Sequence, residues 1–337
     1  MKIWIDVLNV PHVHFFKPIV EELYENNDLI FTVREFAETI KLFEKKIDLP
    51  YTVIGTHKGA NRLFKAFGSL TRLSQLFKVV PEFDLRLSLA GDFSSYYPPI
   101  KRKKQILFCD NEIAPHFLYS RFIDYSFWPK SISKEILMKQ GFHSESIIQY
   151  NGYKEDIYLA DFNPNPKFIN TLPFDNYYLV RPENIMANYV DGKESISPKI
   201  LELLVQSGQN IVYLPRYDID KEYASGMNPK QIYIPNEPIN GLDAVYYSKG
   251  VLTGAGTFAR EASAIGVPAV SYFAGSKLLS VDKSLIDENR LFYTRDPQIA
   301  VEKILNSPKP DGLPDLTRLK EVKKELMEKL AGVIASL

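Results

Sequence analysis

The sequence predicts an α/β protein built as two doubly wound, parallel-sheet (Rossmann-like) domains. Three observations point there. The chain has 337 residues, which corresponds to roughly two domains of about 150 residues each. Short, nearly continuous apolar runs alternate with stretches of helical spacing, the pattern of strands covered by helices on both faces. The alternation lapses once and then restarts.

Lys2 to Leu8 (KIWIDVL) reads as a buried strand. Past Asn9-Val10-Pro11 the apolar residues Phe15, Phe16, Ile19, Val20 and Leu23 fall at helical spacing. Leu29 to Val33 is a second strand, Glu35 to Phe43 a helix, and Tyr51 to Gly55 a third strand. Lys58 to Val80 is a long amphipathic segment. Leu85 to Gly91 and Gln105 to Asp110 are strands. Asn151 to Pro173, rich in proline and asparagine, reads as an interdomain connection. The second round opens with the strand Asn176 to Pro182 and a helix over Ser197 to Gln206, with Pro198 in its first turn. Asn210 to Arg216, Gln231 to Pro235, Gly250 to Gly254 and Pro268 to Phe273 are strands, and Ala262 to Ile265 is helical. The expected division is 1–155, 156–315, and a charged C-terminal helix, 316–337, packing back on the first domain. The two α/β domains are expected to face each other across a cleft.

Composition excludes several classes. Lys+Arg and Asp+Glu both number 41, so the chain lacks the basic excess of a nucleic-acid binder. Cys109 is the single cysteine, which rules out an intrachain disulfide and a cysteine-based zinc site. The first apolar run is short and broken by Asp6, unlike a signal peptide. No window approaches 18 uncharged apolar residues. A cytoplasmic location is expected.

The stretch TGAGTFAREASAIGVP, Thr253 to Pro268, joins a strand to a helix through small residues. Unpaired amides at a helix start, with the helix dipole behind them, suit a phosphate. Glu261 stands one turn further on, where a carboxylate can accept from a ribose. The plain alternative is a tight glycine turn. Glu261, followed by Gly266 and Pro268, resembles the donor-sugar motif of GT-B glycosyltransferases. It is similar to the N-acetylglucosaminyltransferase that forms lipid II and to the non-hydrolysing UDP-N-acetylglucosamine 2-epimerases. The resemblance implies Gly254, Gly256 and Thr257 on the diphosphate and Glu261 on the ribose. Over nearly its whole length the chain resembles a prokaryotic domain family of unknown function within that superfamily.

Four further segments carry chemistry. NVPHVHFFKP, Asn9 to Pro18, places His12 and His14 after the first strand, where open α/β sheets gather ligands. His12 aligns with the transferase's Gly-Gly-His histidine, which implies a base or a sugar contact; capping of the helix is the alternative. Asp92, in SLAGDFSSYYP, and Asp110, Glu112 and His116, in LFCDNEIAPHF, follow two strands. Asp92 and Glu112 are candidate catalytic carboxylates, as the epimerase resemblance implies, while His14, Asp110 and His116 are candidates for the acceptor or substrate. Loop capping is the alternative. VRPENIMANY, Val180 to Tyr189, is similar to the epimerase His-Arg-Arg-Glu-Asn segment, with Val180 where the histidine stands. Arg181, and Arg216 after the next strand, are expected on the diphosphate or in an ion pair. Last, Lys58 to Pro81 holds five basic residues and no acidic one. It reads as a core-facing helix with a basic outer face, or as a peripheral contact to the inner face of a membrane. Asp218-Ile219-Asp220 has the form of a metal motif but sits in a polar loop, so no metal and no cofactor is predicted.

These readings imply a GT-B-like enzyme using a nucleotide-sugar, with transfer from a UDP-sugar to a sugar or polyprenyl-linked acceptor. Epimerisation, and nucleotide-sugar binding without catalysis, remain the alternatives.

Overall fold

The computed structural model describes residues 1–36, 38–56, 62–185 and 194–337. Two compact units result, one of Met1–Ala160 with Arg318–Leu337, the other of Asp161–Thr317.

Unit 1 runs β1 (Lys2–Val7), α1 (Val10–Leu23), β2 (Asp28–Glu35), α2 (Thr39–Lys46), β3 (Tyr51–Thr56), α3 (Arg62–Val79), β4 (Leu85–Leu89), α4 (Tyr97–Ile100), β5 (Lys104–Phe108), β6 (Tyr125–Pro129), α5 (Lys134–Lys139), β7 (Ile147–Tyr150) and α6 (Lys154–Leu159). Unit 2 runs β8 (Tyr178–Arg181), α7 (Ser197–Gln206), β9 (Ile211–Tyr213), α8 (Asp218–Lys221), β10 (Ile232–Tyr233), α9 (Gly241–Tyr247), β11 (Gly250–Thr253), α10 (Gly256–Ala264), β12 (Ala269–Ser271), α11 (Ser280–Asp287), β13 (Phe292–Tyr293) and α12 (Pro297–Leu305). The last helix, α13 (Thr317–Ser336), belongs with unit 1 from Arg318 onward.

Both sheets are parallel throughout. Their orders are β3-β2-β1-β4-β5-β6-β7 and β10-β9-β8-β11-β12-β13. In each, the first strand lies inside the sheet and the chain winds outward on one side before returning to the other. The direction reverses between β1 and β4 in unit 1 and between β8 and β11 in unit 2. Such switch points open a crevice beyond the carboxyl ends of the strands, where ligands collect.

Alternation along β1 sends Ile3, Ile5 and Val7 to one face and Trp4 and Asp6 to the other. The first face packs on Phe15, Phe16 and Ile19 of α1 and on Val322, Leu326 and Leu330 of α13. The buried residues of α13 recur every three or four positions, as an amphipathic helix requires. Arg318 anchors its start with two hydrogen bonds to Asp156, at 2.9 and 2.6 Å. A side chain at Gly152 would come within 2.6 Å of both Val322 methyls, so a glycine lets α13 close on the sheet. The second face packs Trp4 with Ile54, Leu76, Phe83 and Tyr97. α1 begins at Asn9, whose side chain accepts from the His12 amide, with Pro11 in the first turn.

Several elements escape the sequence pattern. β6 and β7, YSFWP and IIQY, extend the first sheet past Asp110; α9, α11, β13 and α12 complete the second unit. Among the described residues no helix is long and apolar enough to cross a membrane. Residues 58–61 of the basic segment, and 186–189 of VRPENIMANY, lie outside the described residues. Arg72 of that segment is not on a basic outer face. It points inward, with 7% of its side chain exposed.

Candidate functional site

In unit 2 the predicted residues converge on the switch point. Arg181 ends β8, Arg216 follows β9, and Gly254 follows β11. The end of β11 lies tight against β8, and the Gly254 amide donates to the Arg181 carbonyl at 3.0 Å. A Cβ on Gly254 would stand 2.4 Å from Glu183 Cγ and 2.5 Å from its Cα. This glycine is therefore required by close strand packing, apart from any ligand. The α10 helix starts at Gly256 with Ala255 as N-cap, which brings no side-chain acceptor to its first amides. The Ala255 amide itself donates to Thr253 Oγ1 at 2.9 Å. Gly256 and Thr257 form the first turn, and Glu261 is buried on the same helix.

The Arg181 guanidinium lies 4.7 Å over the Phe258 ring. Its Nε is buried with no hydrogen-bond partner among the described residues. Burial pulls this guanidinium down to about 10, and the neighbouring Arg216 charge adds to the effect, while Glu261 opposes it. Arg216 donates from Nε to the Pro182 carbonyl at 3.4 Å. Beneath this cluster Glu183 accepts from Ser195, from Ser197 and from Arg295 at 2.6 Å. Glu183 matches the epimerase-like segment, but its position gives it a structural duty. Its partner Arg295, 112 residues away, has no local signal in the sequence.

In unit 1, His12, Asp92, Asp110 and Glu112 gather at the carboxyl ends of the neighbouring strands β1, β4 and β5. His12 is buried, and its Nδ1 accepts from the Leu8 amide at 3.4 Å. The neutral ring therefore carries its proton on Nε2 and acts there as a donor. Burial drives the imidazole down to about 3, against the Asp6 carboxylate, which favours the charged form. Asp92 caps a short turn by accepting from the Ser94 amide at 2.9 Å. Asp110 accepts from Lys154 at 2.8 Å, and Glu112 is buried nearby on the same loop.

Two candidates fall elsewhere. His14 lies two residues from His12, so the helical turn sends it to another face, with its ring tilted against that of Tyr158 at 5.7 Å. His116 is fully buried, with Nδ1 2.6 Å from the Tyr119 hydroxyl and Nε2 2.6 Å from the Asn111 carbonyl. Both nitrogens are committed to holding the loop, which leaves none for an acceptor. Asp220 of the DxD triplet is also structural: it accepts from the Arg216 and Tyr217 amides. Sequence reasoning missed a second layer in unit 1. Asp6, Arg72, Arg86 and Ser94 are buried beneath Asp92, joined across up to 88 residues of sequence.

The family model described as "Protein of unknown function (DUF354)" matches residues 1–310. The chain belongs to the DUF354 family. This DUF354 protein is 27% identical over 325 residues to an uncharacterized protein of Methanocaldococcus jannaschii, covering 91% of this chain and 90% of that one. Its fold is similar to that of the UDP-GlcNAc 2-epimerase from Neisseria meningitidis bound to UDP-GlcNAc, with TM-score 0.73 and 15% identity over 98% of this chain and 100% of that one. It is also similar to the glycotransferase of kitacinnamycin, with TM-score 0.60 and 11% identity over 99% and 98% of the two chains. These likenesses establish a GT-B-like pair of Rossmann-like domains for the DUF354 chain.

The buried His12 makes a testable statement about this DUF354 protein. Its folded-state value, about 3, lies below the ordinary 6.5. A depressed histidine contributes stability above the unfolded value and loses it as pH falls toward the folded one. Urea unfolding should therefore show the wild type losing about 1.4 kcal/mol per pH unit more than His12→Gln between about pH 6 and 4. Parallel losses in the two proteins would refute this.

Proposed function

We propose that this DUF354 protein is a metal-independent enzyme that binds a nucleotide-sugar in unit 2 and transfers the sugar to an acceptor hydroxyl. The observation that carries the reading is the electrostatic deficit at β8 and α10. Arg181 holds a buried N–H without a partner among the described residues, beside the like charge of Arg216 and an α10 start that lacks a side-chain cap. An unsatisfied buried donor costs about 1–3 kcal/mol. A diphosphate entering there satisfies the donor, offsets the two cations and meets the helix dipole. Gly256 and Thr257 then supply amides, and Glu261 accepts from a ribose hydroxyl. The epimerase neighbour solved with UDP-GlcNAc supports a UDP-sugar as the donor. Unit 1 contributes His12, Asp92 and Glu112 to the reacting groups, and no cofactor beyond the donor itself is needed. The acceptor is a sugar, free or polyprenyl-linked. Epimerisation at C2 is the second reading, favoured by Asp92 and Glu112 standing at the ends of adjacent strands.

The test is thermal unfolding against a panel of nucleotide-sugars. At a hundredfold excess over Kd a UDP-sugar should raise the melting temperature by about 5–10 °C. Arg181→Met should abolish that rise, and Glu261→Ala should reduce it. No shift from any donor, or an equal shift in Arg181→Met, sinks the reading. Incubation with UDP-N-acetylglucosamine separates the two chemistries, since only epimerisation yields the C2 epimer without an acceptor.

A further inference from the structure

Beneath the edge of the unit 1 sheet lies a group of four charges that stability alone does not account for. Asp6, on the α3 side of β1, is wholly buried. Arg72 grips it from α3 with two hydrogen bonds, at 2.5 and 3.1 Å, and donates a third to the Ile54 carbonyl at 3.1 Å. Arg86 of β4 lies 3.8 Å from Asp6 Oδ2, one of the two oxygens that Arg72 bonds. It also donates to Gln105 at 3.0 Å and to Ser94. Its Nε is buried with no partner among the described residues. Thr32 donates to Asp6 at 2.6 Å and accepts from Trp4 Nε1 at 2.9 Å.

Two guanidinium groups against one carboxylate leave a positive charge in the interior. The fourth charge is Asp92, 3.6 Å from Arg72 and 3.7 Å from Arg86. It is the one member that reaches solvent, with 29% of its side chain exposed against 7% or less for the others. Ser94 joins the layers. Its hydroxyl lies within hydrogen-bond reach of Asp6 Oδ2, at 3.2 Å, and of Asp92 Oδ1. One hydroxyl proton serves one of the two carboxylates at a time. Asp92 Oδ1 thus takes the Ser94 amide and lies within reach of the Ser94 hydroxyl, with Arg86 at 3.7 Å, while Oδ2 has, among the described residues, Arg72 at 3.6 Å; both arginines stand beyond direct bonding distance. Buried ion pairs of this kind are weak contributors to stability, and apolar replacements of like volume often do as well.

We infer that Ser94 and Arg86, braced on Asp6 and its partner Arg72, are positioning residues that hold one oxygen of Asp92 and present the other to the substrate. The inference rests on the sugar-transfer reading. In that reaction Asp92 Oδ2 takes the proton of the acceptor hydroxyl as its oxygen bonds to the anomeric carbon. The carbon–oxygen bond to the diphosphate breaks, and the leaving group departs with the electron pair. His12 complements this as a donor, because its Nδ1 is already an acceptor for the Leu8 amide.

The test measures UDP release from UDP-N-acetylglucosamine, UDP-glucose and UDP-galactose, with water or N-acetylglucosamine as acceptor. It compares wild type, Ser94→Ala and Asp92→Asn. Asp92→Asn should lower kcat by about 100-fold or more. Ser94→Ala should lower kcat by about 10-fold, with KM for the donor within about twofold and little change in melting temperature. Turnover by the wild type with Ser94→Ala within about twofold in kcat overturns the positioning role alone. So does a Ser94→Ala loss confined to KM. A wild type that turns over none of the donors overturns the sugar-transfer reading and this assignment with it.

Discussion

Replacing Gly254 with alanine is expected to destabilise unit 2 by about 3 kcal/mol or more, the upper range for inserting one carbon into a packed site. In an open position the sign would be the reverse, since alanine restricts the unfolded chain more than glycine does. Here the added carbon would lie 2.4 Å from Glu183 Cγ, 2.5 Å from its Cα and 2.7 Å from its amide nitrogen. Two of these are backbone atoms, and they cannot swing aside. The Glu183 side chain is also held, by Ser195, Ser197 and Arg295. Relief would require β8 and β11 to separate where the Gly254 amide bonds the Arg181 carbonyl. That movement would displace Arg181 as well. The melting temperature should fall by about 6–12 °C, and stabilisation by a UDP-sugar should weaken in parallel. A variant that melts within about 2 °C of wild type would show that the two strand ends are free to part.

Arg72→Met should cost about 3–5 kcal/mol, because it leaves a buried carboxylate without its main partner. The pH dependence supplies an internal check. Burial by itself would raise the Asp6 carboxyl, but Arg72, Arg86 and Thr32 outweigh it and hold the group at about 2, below the ordinary 3.8. A carboxyl lowered by folding stabilises the protein above its unfolded value, and that contribution is lost as pH falls through the folded one. Wild type should therefore lose this contribution between about pH 4 and 2. In Arg72→Met burial raises the carboxyl, so the variant gains from its protonation on the way down to about pH 4 and wild type loses below that; the gap between the two proteins should narrow steadily as pH falls. Denaturant midpoints at pH 7, 5 and 3 read this directly, with values about pH-independent in their difference refuting it.

How far the sequence discloses all this depends on the range of the interaction. The βα alternation is local, and runs such as KIWIDVL announce buried strands because both faces of a parallel sheet are apolar. Strands as short as IIQY and FY carry too few residues to declare a period. The positions of Asp92, Arg181 and Gly254 follow from one rule, that loops at strand ends carry the ligands. Their partners follow from none: Asp6 meets Arg72 across 66 residues and Glu183 meets Arg295 across 112. Asp6 looks like a mere interruption of an apolar run until the tertiary fold brings two arginines to it. His116 shows the opposite error. A histidine beside carboxylates on a ligand-edge loop looks chemical, yet packing against Trp128 and Phe142 turns it inward.

Unit 1 is completed by α13, whose Val322, Leu326 and Leu330 join the core begun by Ile3 and Ile5, while Asp161–Thr317 form unit 2. On a ribosome the order of delivery and the order of assembly therefore part company. All of unit 2 emerges, over roughly ten seconds or more at ordinary elongation rates, before the helix that seals the apolar face of unit 1. The second unit is free to fold while the first waits with the part of that face that α13 covers still open, a standing invitation to chaperones. Nonsense mutations in the codons of α13 would accordingly injure unit 1, whose strands are made before unit 2.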